Sequence, residues 1–206
     1  MPTRVSVRQG TDYELLTADD FLDRLEPGKH ADLIDGEVAV HSPVSLNHAA
    51  LLNFLDRLIG QYVDRYRLGT LFREVVAVRL SSRNVFMPDL AFYRAGREAD
   101  MHETYVAGPP DLAVEVISPR TGERDVGPKF AEYEQHGVRE YWILDPETLA
   151  HRFYRRDGEI LVEYADGESR IDSAVIDRFF VLRDWLVPAS PPPFDDSLAA
   201  IEADRT

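Results

Sequence analysis

Residues 109–147 read PPDLAVEVISPRTGERDVGPKFAEYEQHGVREYWILDPE, and this stretch decides the fold. DLAVEVIS is an apolar run of strand length, broken only by Asp111 and Glu115. DVGPKFAEYEQHGV predicts a helix, with Asp125 as N-cap, Pro128 in the first turn and Gly137 as the C-terminal stop. EYWILD then returns as a second strand, its Tyr141 and Trp142 filling space against a sheet. Strand, helix and strand within 39 residues predict an α/β layer.

The flanking sequence extends this pattern. TADDFLDRL carries Thr17 and Asp20 at capping-box spacing and predicts a short helix. LIDGEVAV predicts a hairpin, because Asp35-Gly36 tolerates the positive φ angles of a tight turn. From Ser45, Leu51, Leu52, Leu55, Leu58, Ile59, Tyr62, Val63 and Tyr66 recur with helical period and predict a long amphipathic helix. LFREVVAVRL and VFMPDLAFY read as two strands separated by SSRN, and RAGREADMHETYVAGPP as a loop. Residues 148–183 form a β-rich extension with turns at Asp157-Gly158 and Asp166-Gly167, before the proline-rich VPASPPPF and an acidic tail. The expectation is a mixed central β-sheet flanked by helices, with an N-terminal β-hairpin and a C-terminal β-rich extension. A single domain spans 12–186, with tails at 1–11 and 187–206.

Composition narrows the function. The 206 residues are 44% hydrophobic, enough for one sizeable core. No apolar run approaches the roughly 18 residues of a membrane helix, and the N-terminus lacks the apolar core of a secretory signal, so a cytoplasmic protein is expected. Without cysteine, a metal must be held by carboxylates or histidines. The net charge of -14 argues against a broad cationic surface for nucleic acid. Residues 120–156, however, balance seven acids with seven bases and leave room for a local basic groove. Among 23 cationic side chains only Lys29 and Lys129 are lysines, so a lysine at 129 calls for a reason.

The informative residues are charges on apolar strands. Asp89 in MPDLAF and Glu115 in DLAVEVIS each interrupt an apolar run, and burying an unpaired carboxylate costs several kcal/mol. Compensation comes from an arginine or lysine partner or from a hard metal such as magnesium. Period two places Asp111, Ala113, Glu115 and Ile117 on one face. Structural readings stand beside this: Asp111 capping its strand, and Glu115 paired with an arginine.

At these residues the chain resembles the Uma-type family of restriction endonucleases, with a PD-(D/E)XK nuclease fold. The likeness rests on MPDLAFY, on PPDLAVEVIS through EYWILDPE, on LIDGEVAVHSP and on the asparagine-histidine pair opening the long helix, and it spans most of residues 12–186. The resemblance implies a metal-dependent phosphodiesterase. Pro88-Asp89 match its "PD" element, Glu115 its second acid and Glu37 an additional upstream acid. Ile117 stands where the motif's lysine is expected, and Lys129, on the following helix, matches that lysine.

These assignments imply that Asp89, Glu115 and the Val116 carbonyl hold Mg2+ or Mn2+, while Lys129 orients or deprotonates the attacking water. Arginine would be too basic for proton transfer, which is a reason for lysine. His48, Arg120 and Arg124 are candidate substrate contacts, with a satisfied core histidine and a solvated loop as the alternatives. Tyr133 and His136 share a helix face with Lys129 and read as packing residues. RFYRR at 152–156 reads either as a nucleic-acid contact or as the two faces of a hairpin. The expected function is a DNA endonuclease, working on nucleic acid as a homodimer. The alternative is a nuclease-fold module that has lost cleavage and serves binding or assembly.

Overall fold

The structure, a computed structural model, describes residues 15–26, 28–41, 43–73, 76–117 and 127–205. Helix α1 (Ala18–Arg24) opens with the expected capping box: Thr17 Oγ1 accepts from Asp20 N, and the Asp20 carboxylate accepts from Thr17 N. Strands β1 (Ala31–Ile34) and β2 (Glu37–Val40) form the hairpin, with Asp35 and Gly36 both at positive φ. Ser45 caps α2 (Leu46–Tyr66), which ends with Arg67 in the left-handed region.

The two strands expected over 71–94 are four. β3 (Gly69–Arg73) and β6 (Leu90–Arg94) pair in one sheet, while β4 (Ala77–Arg79) and β5 (Val85–Phe86) pair in another. The chain therefore crosses between sheets through Met87, Pro88 and Asp89. Pro88 lacks the N–H a ladder needs, which suits a strand break. The loop expected over 94–110 contains a 3₁₀ turn (Glu98–Asp100) and β7 (Tyr105–Ala107), parallel to β4; three residues are too few to announce a period.

β8 (Leu112–Val116), α3 (Pro128–His136) and β9 (Glu140–Leu144) realise the opening stretch, with β8 and β9 parallel. Pro128 is in the first turn and Gly137 is the left-handed C-cap; the residue at the N-cap is Gly127. Asp125, expected there, lies outside the described residues. β10 (Arg152–Asp157), β11 (Ile160–Tyr164), β12 (Arg170–Asp172) and β13 (Phe180–Leu182) form the β-rich extension. The acidic tail is not loose: Phe194–Arg205 form helix α4, whose Leu198 and Ile201 join the core beside α2.

A six-stranded sheet of order β11-β10-β9-β8-β6-β3 carries the core, beside a five-stranded sheet of order β2-β1-β5-β4-β7 and the pair β12-β13. On one face, Leu112, Val114, Val116, Trp142 and Leu144 pack with Leu51, Leu55, Leu58 and Ile59 of α2. On the other, Ala113, Tyr141 and Ile143 pack with Tyr133 of α3 and Phe86 of β5. Each aliphatic or aromatic side chain so buried stabilises by about 1.5–3 kcal/mol. The alternation of β8 thus sends Glu115 toward α3.

Candidate active site

Glu115 is 4% exposed, on the α3 side of β8. Lys129, in the first turn of α3, is 1% exposed and donates from Nζ to Glu115 Oε1 at 2.8 Å. Tyr133, one turn later, donates its hydroxyl to the same oxygen at 3.2 Å. Its ring packs edge-on against Phe86 and Tyr141. The Lys129 ammonium also lies 5.7 Å from the Phe86 ring centre, within cation–π reach.

A second acid flanks the ammonium. Asp32 Oδ2, on β1 of the five-stranded sheet, lies 3.1 Å from Lys129 Nζ. The same oxygen accepts from His41 Nε2 at 2.8 Å, and Oδ1 accepts from Met87 N at 2.8 Å. Burial would push the Asp32 carboxyl up, but the Lys129 ammonium, His41 and the Met87 amide outweigh it and hold it below the usual carboxylate range. Lys129 therefore bridges acids from two sheets.

Asp89 stands at the crossing itself. Because Leu90 pairs with Val114, the residue before β6 falls beside Glu115. Asp89 Oδ2 accepts from Val116 N at 2.6 Å, and Oδ1 accepts no hydrogen bond among the described residues. His48 Nε2 lies 3.3 Å from Oδ1 without hydrogen-bond alignment, and among the described residues neither nitrogen of this 4%-exposed ring has a hydrogen-bond partner. His48 is held there by the first turn of α2, where Ser45 Oγ caps its amide and Asn47 donates to Glu147.

The donor set suits one class of cation. Among the described residues no group of three His, Asp or Glu side chains is placed to hold a metal alone. A zinc site needs three or four protein ligands. Magnesium, by contrast, keeps several waters and takes one or two carboxylates, as an unbonded Asp89 oxygen beside Glu115 provides.

The other sequence candidates are dispersed. Glu37 is exposed on β2, and its side chain makes no hydrogen bond or ion pair among the described residues. Arg120 and Arg124 lie outside the described residues. Asp111 is spoken for: its carboxylate accepts from Arg94 N and Nε at 3.0 and 2.9 Å, at the opposite end of β8 from Glu115. In RFYRR, Phe153 and Tyr154 are buried, and Arg156 donates to the Val138 and Glu134 carbonyls at the end of α3, a structural duty.

A family model described as "Putative restriction endonuclease" matches residues 18–181. The chain belongs to the Uma2 family. The fold agrees with a solved structure, a crystal structure of "a putative nuclease belonging to DUF820" from Anabaena variabilis. It is 17% identical, with a TM-score of 0.65 over 90% of this chain and 99% of that one. No curated protein matches. Membership of Uma2 supports a nuclease, and no described helix is long and apolar enough to cross a membrane.

Two members of this cluster are not marked as site residues by sequence patterning. Tyr133 packs as its spacing predicts, but its hydroxyl also reaches Glu115. Asp32 lies one residue before the LIDGEVAV hairpin segment, on the strand that leads into the Asp35-Gly36 turn. The signal existed: Asp32 shares a strand with Ala31 and Leu33, both buried, and is an acid interrupting an apolar run as Asp89 and Glu115 are.

Proposed function

We propose that the protein is a divalent-metal-dependent nuclease that hydrolyses phosphodiester bonds, most simply as a DNA endonuclease. The observation that carries this reading is the convergence of Asp89 and Glu115, from adjoining strands, with Lys129, while one Asp89 oxygen accepts no hydrogen bond among the described residues. Asp89, Glu115 and the Val116 carbonyl would hold magnesium or manganese, which when bound supplies an activated water and charge neutralisation on the phosphoryl group.

The chain's own residues divide the remaining work. The Val116 amide fixes the rotamer of Asp89, and Lys129 with Tyr133 fixes that of Glu115. The Lys129 ammonium offsets both the two acids and the negative charge that grows in the transition state. The Asp89 side chain is 17% exposed, against 2% for Lys129 and 5% for both Glu115 and His48, so substrate would meet the site at Asp89. The net charge of -14 opposes the approach of a polyanion, so affinity has to come from local cationic contacts, and it is these contacts that would make cleavage weaken as salt rises. Cutting both strands in one encounter calls for a homodimer, which sedimentation of the protein with duplex would detect.

A second reading follows from the burial of Lys129. An ammonium 1% exposed between acids of two sheets also serves as a clamp in a binding or assembly module without cleavage. Plasmid and single-stranded DNA, incubated with the protein at low salt with magnesium, manganese or EDTA, separate the two readings. The nuclease reading expects metal-dependent cleavage that is absent from Asp89→Ala. Cleavage retained by that folded variant sinks the site, and no cleavage under any condition, with no metal-induced change in stability, favours the module.

A further inference from the structure

We infer that Asp32 is the third acid of this site, and that it acts by positioning Lys129 rather than by touching metal or substrate; the catalytic consequence rests on the nuclease reading above. The carboxylate is 2% exposed and is engaged from three directions. Met87 N, on the crossing between sheets, donates to Oδ1; His41, just after β2, donates to Oδ2; and Lys129, on α3, lies 3.1 Å from Oδ2. A carboxylate with both oxygens engaged, Oδ2 by two groups, is suited as an anchor for its partners.

The ammonium it anchors needs one. Lysine carries its charge on four flexible carbons, and a single contact to Glu115 would leave several rotamers open. Asp32 and Glu115 approach Nζ from different sheets, at 3.1 and 2.8 Å, and together fix both its place and its direction. The crossing peptide that binds Asp32 through Met87 N continues two residues later into Asp89, so one short segment sets the anchor of the lysine and the metal-facing acid. Glu37, the acid that sequence resemblance placed upstream, is exposed at the turn end of β2. Asp32, five residues earlier on the buried strand of the same hairpin, meets the geometric requirement that Glu37 does not.

The scarcity of lysine supplies the test. With the lysines labelled with 15N and 13C, the side-chain NMR spectrum contains two ammonium groups, from Lys29 and Lys129. Lys29 is exposed and exchanges its protons fast, whereas the buried Lys129 gives the exchange-protected signal, identified by its survival in Lys29→Arg. Asp32→Asn keeps the side-chain shape and the acceptor for Met87 N but removes the charge. It is expected to shift or abolish the protected signal and to lower kcat about ten- to a hundredfold, with KM and the metal concentration for half-maximal rate unchanged. Asp32→Glu should move the same signal and restore part of kcat, which a merely structural role would not do. A Lys129 signal unmoved in Asp32→Asn overturns the proposal, as does a shift in metal requirement, which would make Asp32 a ligand. Should Asp32→Asn fail to fold, an unmoved signal in Asp32→Glu overturns it equally. If the wild-type protein cleaves nothing, the nuclease reading falls while the NMR comparison still decides whether Asp32 positions Lys129.

Discussion

Glu115 and Glu140 are buried carboxylates on neighbouring parallel strands, facing opposite sides of one sheet, and the chain satisfies them by different means. Glu140 is fully buried on the α2 side, where Oε1 accepts from Trp142 Nε1 and the Tyr164 hydroxyl, and Oε2 from Ser173 Oγ and the Ala174 and Val175 amides. None of those five donors is charged, and all come from residues 142–175. Glu115 instead meets a lysine, a tyrosine and, across the lysine, a second acid from another sheet. Neutral donors converging from one local region tie the β-rich extension to β9. A cation shared by two acids is a different device: it offsets one of two negative charges and leaves the other, which suits a place where, on the proposed nuclease reading, a divalent cation would be accommodated.

The sharpest way to break this contrast is to remove each charge in turn. Glu115→Gln should cost several kcal/mol of transition-state stabilisation, a fall in metal-dependent cleavage on the order of a thousandfold, with circular dichroism unchanged. Retained cleavage would place Glu115 with Glu140 among structural acids. Glu140→Ala leaves five donors without their acceptor, one buried and four part-buried, and should lower unfolding free energy by about 3 kcal/mol in urea titrations, while the folded fraction keeps its activity. Lys129→Arg comes next: if charge alone matters, cleavage should stay within about tenfold of wild type, and a larger fall would point to proton transfer or to close packing around Phe86.

The smallest effect is a difference in pH slope. The Asp32 carboxyl is held below its ordinary value of 3.8, so its stabilisation is complete above that pH and is lost as the pH falls through the lowered value. The Glu140 carboxyl is pushed above its ordinary value of 4.5 by burial, with its hydrogen bonds drawing it part way back. Its contribution is therefore complete below 4.5 and declines as the pH rises through the raised value. Urea stability measured across the acid range should lose part of its acid-side fall in Asp32→Asn and part of its decline toward neutral pH in Glu140→Gln. Equal slopes in the two variants would remove the distinction.

The sequence was most legible where periodicity runs long. The stripe of α2, the Asp35-Gly36 turn and the strand, helix and strand over 111–145 can each be read from spacing alone. It was least legible where partnership decides structure. LFREVVAVRL is apolar enough for either sheet, and nothing local says that Leu71 and Ala77 belong to different ones. Helix α4 offers only Leu198 and Ile201 as core residues in an acidic segment and reads as tail. The same holds at the site. Asp89 and Glu115 stand out as acids in apolar runs, whereas the tie between Asp32 and Lys129, 97 positions apart, exists only once both sheets are in place.

The crossing through Met87, Pro88 and Asp89 has a consequence for how the molecule can be divided. The exposed turn at Ser82-Arg83 lies just before it, so cutting the chain there leaves Asp32, His41 and His48 on one fragment and Asp89, Glu115, Lys129 and Tyr133 on the other. Neither fragment would hold a complete site, and the break falls outside every strand and helix. Co-expressed halves should regain cleavage only on reassociation, which would make this fold a natural scaffold for a two-part reporter whose signal depends on its pieces meeting.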